Sequence, residues 1–294
     1  MTATPDALSR PAWTPAVRWA PALAAGLLFA LLFAHPFRLL LSDWWNDPEA
    51  GHGLLLAPVA LWLAWKAGLR ADRAPSPGLG LTVLAGAVVL RYLAGLAAEL
   101  FTLRLSMVLA LAAVVTFAWG WRQVLAWWLP FTLIVLSVPL PDLVTSALAL
   151  PLQFKASAMG ARLLELRHVP VELSGNIILL PGRRLFVTEA CSGLRSLTAL
   201  LSLGVLAGGL WLRYPVSRAL IIAATIPVAI GINAFRIFLT GFLVYYVSPA
   251  SGEGFMHLSE GWLMFVLAFG ILGLLTWLVG ALEGVWYRRR RADA

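Results

Sequence analysis

Cysteine and charged residues are both scarce in this chain. Its 294 residues include a single cysteine, Cys191, and only 12% of them are charged, compared with about 25% in soluble domains. One cysteine excludes an intramolecular disulfide and a cysteine-rich zinc site. The low charge, together with 61% hydrophobic residues, predicts a membrane protein.

Two catalytic signatures are missing as well. The sequence contains no Gly-x-Ser-x-Gly nucleophile elbow and no His-Glu-x-x-His zinc site. These absences argue against a serine protease built on that elbow and against a zinc protease. No residue pattern predicts a metal or another cofactor, so we expect none.

The excess of basic residues has a topological explanation. A net charge of +8 is also typical of proteins that bind nucleic acid, but here the basic residues lie beside apolar stretches, and half of the excess is the tail at 288–291. We therefore expect membrane lipids as partners and no nucleic acid.

Eight apolar stretches have the length and composition of transmembrane helices. They lie at 16–41, 54–69, 78–97, 103–121, 123–138, 191–212, 216–247 and 257–286. The fifth stretch ends at the breaker Pro139-Leu140-Pro141, and the long seventh stretch contains Pro227 and Gly231 as candidate kink positions. The sequence predicts an all-α polytopic membrane fold, with residues 1–294 forming a single integral-membrane domain.

The segment 139–190 interrupts this pattern. From 142 to 166, apolar residues alternate with polar ones such as Lys155 and Arg162, which predicts an amphipathic helix on the outer membrane surface; a buried or re-entrant segment is the alternative. Three β-branched runs separated by turn signals follow at 169–173, 176–180 and 184–188. Because unpaired strand edges cannot face lipid, we expect this small hairpin or meander at the membrane surface, before the sixth helix.

The distribution of charge predicts the orientation. With the amino terminus inside, arginines cluster in the internal loops, whereas acidic residues lie in the external ones, namely Asp43, Asp47, Glu49 and Glu99. This arrangement places both termini in the cytoplasm and the segment 139–190 outside. We expect a multi-pass protein of the cytoplasmic (inner) membrane, whose first helix is an anchor and not a cleaved signal peptide.

Cys191 lies where a polar loop gives way to the sixth helix. A thiol at a helix start is close to unpaired backbone N–H groups and to the positive end of the helix dipole, which both favour the thiolate. The alternative is a small buried hydrophobic side chain, the commonest role of a lone cysteine. Arg195 follows one turn later and either favours the thiolate or tethers the hairpin.

Arg236 lies inside the seventh stretch, where a charge is costly unless it faces protein, water or a partner. It is either a buried arginine satisfied by carbonyls or by a carboxylate such as Glu189, or a clamp for an oxyanion. Counting back from Val247 puts Arg236 about 16 Å below the helix end, deeper than a surface site requires. His257 opens the eighth stretch at the same membrane level as Cys191.

Three motifs, in this order, resemble the exosortase and archaeosortase family. They are Cys191-Ser192-Gly193-Leu194-Arg195 after a short β segment, Asn233-Ala234-Phe235-Arg236-Ile237 in the following stretch, and Met256-His257 at the start of the last one. His52-Gly53, after a tryptophan-rich first external loop, is similar to the amino-terminal half of exosortases. The resemblance covers most of residues 20–285.

The resemblance implies a cysteine transpeptidase or protease that cleaves C-terminal sorting tails of the Pro-Glu-Pro (PEP-CTERM) type from secreted proteins. Such enzymes act at the outer face of the cytoplasmic membrane through a thioester, often in bacteria that make exopolysaccharide. The acceptor would be water or an amine of a glycan or lipid. By this resemblance the catalytic residues are Cys191, Arg236 and His257. The candidates for supporting or substrate-binding roles are Arg195, Glu189, Asn233 and His52.

A transporter or flippase for exopolysaccharide or lipid precursors is the main alternative, since such proteins also carry intramembrane arginines and broken helices. It predicts a repeat symmetry between the two halves of the chain, which the sequence does not show. A structural subunit of a secretion complex is a weaker alternative because it gives Arg236 no role.

Overall fold

The computed structural model describes residues 15–47, 50–181, 183–186, 194–248 and 254–292. Ten helices and three strands lie in these ranges. The helices are α1 (Pro15–Asn46), α2 (Gly53–Ala67), α3 (Pro77–Leu96), α4 (Leu100–Trp119), α5 (Trp121–Ala126), α6 (Trp128–Leu136), α7 (Asp142–Glu165), α8 (Leu194–Trp211), α9 (Pro215–Tyr246) and α10 (Gly254–Ala292). The strands are β1 (Glu172–Ser174), β2 (Ile177–Leu180) and β3 (Arg183–Phe186).

Apolar length explains most of these helices. Among the described residues, five helices are long and apolar enough to cross a membrane, and two apolar helices are shorter. The five lie within α1, α3, α4, α9 and α10, and the two shorter ones are α2 and the part of α8 from Leu197 to Trp211. The predicted all-α polytopic membrane fold is therefore confirmed.

The fifth apolar stretch differs from its prediction because it is broken into α5 and α6. Trp127 separates them with φ −93° and ψ 26°, outside the helical region. Its indole Nε1 donates a hydrogen bond to the carbonyl oxygen of Gly68 at 3.0 Å. The break thus coincides with a contact to the loop after α2, a contact that the local sequence does not reveal.

Arginines gather at one end of the helix bundle, which we call the basic end. Arg70, Arg73 and Arg213 lie in its loops, and Arg122 lies in the short helix α5. Gln123 joins α5 to the loop after α2, since its Oε1 accepts the backbone N–H of Arg70 at 2.9 Å. The carboxyl-terminal part of α10 lies at the same end, because Glu283 accepts the backbone N–H of Arg213 at 3.0 Å.

Carboxylates gather at the opposite end, which we call the acidic end. Asp43, Asp47 and Glu99 line one cavity there. The end of α1 is joined to the end of α6, because Trp44 Nε1 donates to the carbonyl oxygen of Ser137 at 2.7 Å. The start of α1 therefore points towards the basic end, as does the end of α10.

Helix α7 packs along α9. An added Cβ at Gly160 would lie 2.6 Å from Ile237 Cγ2, and one at Gly241 would lie 2.8 Å from Leu164 Cδ1. Both helices advance between these two contacts, so the carboxyl-terminal half of α7 runs in the same direction as α9. Glycines at both points of contact allow this close approach.

The buried face of α7 consists mostly of small and polar side chains, with the fully buried Leu164 near its carboxyl-terminal end. Ser157 is fully buried and Gln153 is 3% exposed, and the buried alanines of this face are Ala149, Ala156 and Ala161. The rest of the helix surface exposes leucines together with Lys155 and Arg162. This helix is therefore part of the packed bundle, as in the buried alternative that the sequence left open.

The three strands form an antiparallel sheet in the order β1–β2–β3. Leu173 pairs with Ile178, which pairs on its other side with Leu185. Gly175 connects the first two strands with φ +65°, a conformation that favours glycine. The predicted small β segment is confirmed, as a three-stranded meander.

The sheet packs onto α7 and the far part of α9. Ile178 and Leu180 of the central strand are buried in one hydrophobic cluster with Leu164 of α7 and with Ile237 and Val244 of α9. We call this cluster the sheet layer. It occupies the last three turns of α9, beyond Arg236.

Candidate active site

Two of the predicted site residues, Cys191 and Glu189, lie outside the described residues. The structure does define the chain on either side of them, where β3 ends at Phe186 and α8 begins at Leu194. Arg195 lies in the first turn of α8 and His257 in the first turn of α10, but the described part does not include their side chains. We therefore locate the candidate site from Arg236 and from the levels of the neighbouring helices. A level here means the height along the bundle axis at which a residue lies.

The packing of α8 against α9 gives the first of these levels. An added Cβ at Gly208 would lie 3.5 Å from Arg218 Cα, and one at Gly204 would lie 2.7 Å from Thr225 Cγ2. The two helices are therefore antiparallel. Extending this register by about three turns puts Leu194, the first residue of α8, within about one turn of the level of Arg236.

The sheet layer explains the depth of Arg236. Ten residues separate Arg236 from the end of α9 at Tyr246, so the arginine lies about 15 Å below that end. Protein packs against this last part of the helix, since Ile237 and Val244 are buried in the sheet layer and Tyr246 donates to the carbonyl oxygen of Arg167 at 3.1 Å. Arg236 therefore lies at the base of the sheet layer.

Arg236 itself is partly buried. Its side chain is half-buried, and its Nε atom is buried. Asn233, one turn earlier on α9, is 5% exposed. The backbone of α7 packs on α9 nearby, because an added Cβ at Gly160 would lie 3.2 Å from the carbonyl oxygen of Ala234. A guanidinium that is partly removed from water acts more strongly on nearby negative charge than a fully exposed one.

Helix α10 begins near the same level as α8. Glu283 of α10 accepts the backbone N–H of Tyr214, next to the start of α9, at 3.1 Å. The distance along α9 from Tyr214 to Arg236 is about 33 Å, and the same distance along α10 leads from Glu283 back to Gly261. The backbone of His257 lies about one turn further out. The starts of α8 and α10 and the middle of α9 thus meet near one level at the acidic end.

His52 lies at the acidic end, but on the other side of α8. It precedes α2, and its Nε2 is 3.2 Å from the carbonyl oxygen of Leu136 at the end of α6. It also lines the acidic-end cavity, whose volume is about 520 Å³. Thr198 and Leu201 of α8 form part of the same cavity. The first turns of α8 therefore lie between this cavity and α9.

Arg104 is a residue of this end that sequence reasoning missed. It lies one turn inside α4 with its side chain 4% exposed, and its Nη2 donates to Asp43 Oδ2 at 2.5 Å. The signal was present, because an arginine inside an apolar stretch needs a partner. The identity of that partner, 61 positions earlier on α1, is a tertiary fact.

The comparison with known proteins identifies the family of the chain. The family model described as transmembrane exosortase (EpsH) matches residues 44–274, a range that includes Cys191, Arg236 and His257. No curated protein and no solved structure matches the chain. The model covers well over half of the sequence, and the chain therefore belongs to the exosortase family.

Proposed function

We propose that this exosortase is a cysteine-dependent transpeptidase or protease that cleaves C-terminal sorting tails of the PEP-CTERM type from secreted proteins. One observation carries the proposal: the backbone of Arg236 on α9 lies near the same level as the starts of α8 and α10, at the acidic end. Cys191 precedes Leu194 by three positions, a chain length of at most about 11 Å. The cysteine is thus within reach of that level.

In the first step, the thiolate of Cys191 attacks the carbonyl carbon of the scissile peptide bond. The carbonyl oxygen becomes an oxyanion in the tetrahedral intermediate, and a thioester forms when the amine of the tail leaves. Arg236 supplies a permanent positive charge to the oxyanion. The partial burial of Arg236 lowers the local dielectric, which strengthens that interaction.

His257 carries the protons in this mechanism. It gives a proton to the leaving amine and then accepts one from the acceptor that attacks the thioester, which is water or an amine of a glycan or lipid. A histidine suits both roles because its pKa lies closest to neutrality among ordinary side chains. Arg195, Glu189 and Asn233 are proposed as supporting residues around this group.

The site faces outward in the cytoplasmic membrane. The positive-inside rule assigns the basic end to the cytoplasm, and the starts and ends of the described chain point to that end. The acidic end, with α7 and the sheet layer, then lies on the outer side. A secreted substrate whose tail is still in the membrane would present its cleavage motif beside the sheet layer.

The test is co-expression with a secreted reporter that ends in a Pro-Glu-Pro sorting tail. Wild type is expected to shorten the reporter, and Cys191→Ala to leave it at full length while accumulating normally in the membrane. Cys191→Ser, which keeps the size but weakens the nucleophile, serves as the matched variant and is also expected to be inactive. Normal shortening by Cys191→Ala would refute the nucleophile.

A further inference from the structure

An apolar groove lies between α8 and α10, on the side of the basic end. Its volume is about 670 Å³, which is in the range of sites that hold small organic ligands. Its walls extend from Leu203 to Trp211 on α8 and from Phe269 to Ala281 on α10. We call it the α8–α10 groove. The proposed cleavage step uses none of the residues that line it.

Helices α8 and α10 run in parallel towards the basic end. Glu283 of α10 accepts the backbone N–H of Arg213, two residues after the end of α8, at 3.0 Å. An added Cβ at Gly280 would lie 3.6 Å from Leu212 Cδ2, which agrees with the same register. The groove therefore ends at the basic end on both helices.

The length of the groove matches one leaflet of a bilayer. The lining of α8 from Leu203 to Trp211 extends over about 12 Å, and that of α10 from Phe269 to Ala281 over about 18 Å. Half of a hydrocarbon core is about 15 Å thick, whereas a partner helix that crosses the membrane would need about 30 Å of contact. The groove thus suits the acyl chains of a lipid better than a crossing helix.

The surface of the groove is apolar and open. None of the described residues that line it is charged. Thr276 is 3% exposed, but its hydroxyl already donates to the carbonyl oxygen of Leu272 at 2.8 Å and needs no polar ligand. An added Cβ at Gly273 would meet nothing within 4 Å, so there is open space beside the backbone. A hydrocarbon chain can fill such a groove without burying an unpaired polar group.

The mouth of the groove at the basic end has an excess of positive charge. The described charged side chains on the adjoining ends of α8, α9 and α10 are Arg213, Arg218, Glu283 and Arg288. One carboxylate thus stands against three arginines. Arg288 follows the groove residue Ala281 by seven positions, or two helical turns, and therefore continues the same face of α10. An anionic group at this mouth is attracted.

The side chain of Arg213 lies over the same face of α10. Its guanidinium carbon is 5.6 Å from the centre of the Tyr287 ring. Tyr287 follows the groove residue Gly280 by seven positions and so belongs to the lining face. Because the side chain of Arg213 is exposed, an anion at the mouth of the groove can reach it.

We propose that the α8–α10 groove binds one anionic phospholipid of the leaflet at the basic end. The acyl chains would lie along the groove, and the phosphate would lie between Arg213 and Arg288. Burial of methylene groups gives affinity, and the arginines select an anionic over a zwitterionic headgroup. The proposal does not depend on the cleavage activity.

Binding is tested by native mass spectrometry of the full chain in detergent. The chain is mixed with equal amounts of dioleoyl-phosphatidylglycerol and dioleoyl-phosphatidylcholine, which have the same acyl chains and differ in net charge. We expect one phosphatidylglycerol to bind about tenfold more tightly than phosphatidylcholine, since each arginine near an anionic headgroup contributes about fivefold. Equal binding of the two lipids would overturn the proposal.

Charge variants locate the headgroup. Arg213→Gln and Arg288→Gln are each expected to weaken phosphatidylglycerol binding about fivefold and to leave phosphatidylcholine unchanged. Arg73→Gln, in the loop after α2, removes the same charge from the same end and is the matched control, which should change neither lipid. Equal losses in Arg73→Gln and Arg213→Gln would mean that the basic end attracts anionic lipid as a whole, and the proposal would fail.

A groove variant locates the acyl chains. Gly273→Phe fills the open space of the groove and is expected to weaken phosphatidylglycerol binding about tenfold. Gly270→Phe is the matched control, because Gly270 is equally open but lies outside the described lining. Melting temperatures show that both variants are folded. Normal phosphatidylglycerol binding by folded Gly273→Phe would mean that the lipid binds elsewhere and would refute the proposal.

A partner helix and a second copy of this chain are the competing occupants. Leu206, which lines the groove, is replaced by the photoreactive benzoylphenylalanine, and the adducts formed in cells are weighed by mass spectrometry. The same label at Leu278, an exposed α10 residue outside the described lining, gives the reference for bulk lipid. We expect adducts at Leu206 to be enriched in anionic phospholipid over that reference. Adducts with a second copy or with the sorting tail of the reporter, or lipid adducts without enrichment, would overturn the proposal.

Discussion

The two ends of the helix bundle use their polar side chains differently. At the basic end, Gln123 and Glu283 bind the backbone of neighbouring loops, through Arg70 N, Arg213 N and Tyr214 N. At the acidic end, carboxylates and an arginine line a cavity of about 520 Å³, and Arg236 lies below the sheet layer. The first arrangement fastens helices together, whereas the second places charged side chains around a cavity.

Two arginines on α9 test this contrast most strongly. Arg236→Ala is expected to lower the rate of reporter processing about 100- to 1,000-fold, because the oxyanion loses its charge partner. Arg218→Ala, at the basic end of the same helix, removes a hydrogen bond from Nε to the carbonyl oxygen of Leu212 and should leave the rate within about twofold. Rates are measured per molecule of membrane-inserted protein. Equal losses in the two variants would mean that the ends do not differ in function.

Two glycines test whether α7 must fit closely against α9. Gly160→Ala is expected to destabilise the chain by about 1–3 kcal/mol, because its Cβ would lie 2.6 Å from Ile237 Cγ2 and the neighbours must move. Gly231→Ala is the matched control, since an added Cβ there meets nothing within 4 Å. Thermal unfolding in detergent measures both. A neutral Gly160→Ala would show that the contact near Arg236 is loose.

Removing a carboxylate at the basic end should affect stability and not processing. Glu283→Ala leaves the backbone N–H groups of Arg213 and Tyr214 without their acceptor, at a cost of about 1 kcal/mol in unfolding free energy. Glu283→Gln retains one acceptor oxygen and should cost less. Melting temperature and reporter processing are measured side by side. A processing defect at normal stability would contradict a purely structural role for this end.

The smallest expected effect is a pH dependence at the acidic end. The pKa of Glu99 is lowered in the folded chain, so its contribution to stability is present above about pH 4.5 and is lost as the pH falls through the folded pKa. The contribution is about 1 kcal/mol or less, as for other helix caps. Thermal unfolding from pH 7 to pH 3.5 should show a smaller acid loss in Glu99→Gln than in wild type. Identical pH profiles would mean that Glu99 gives the folded chain no such advantage.

Apolar length made the helices predictable. The described helices that correspond to the eight predicted stretches begin within three residues of the predicted starts, because a run of apolar residues reports directly on burial in lipid or protein. The break at Trp127 was not predictable, since it depends on a hydrogen bond to Gly68 across the bundle. The packed face of α7 was also ambiguous, because Ser157 and Gln153 are polar residues that the fold buries.

The candidate site was also predictable only in part. Its motif residues could be proposed as a set from their order in the chain, and the family that this order indicated is confirmed by the family match. Their spatial relation could not, because the counted depth of Arg236 ignored what surrounds the end of α9. The sheet layer removes that difficulty by packing protein against Ile237 and Val244.

Sequence alone determined that this is a membrane protein, and it determined the helices, the family and the candidate residues. Composition and motif order are properties of the chain itself. Only the tertiary structure decided that Arg104 pairs with Asp43 and that Arg236 shares a level with the start of α8. The physical reason is that helix registers and ion pairs depend on which side chains meet across the bundle. Small residues such as Gly160 and Gly204 set those registers by letting backbones approach closely.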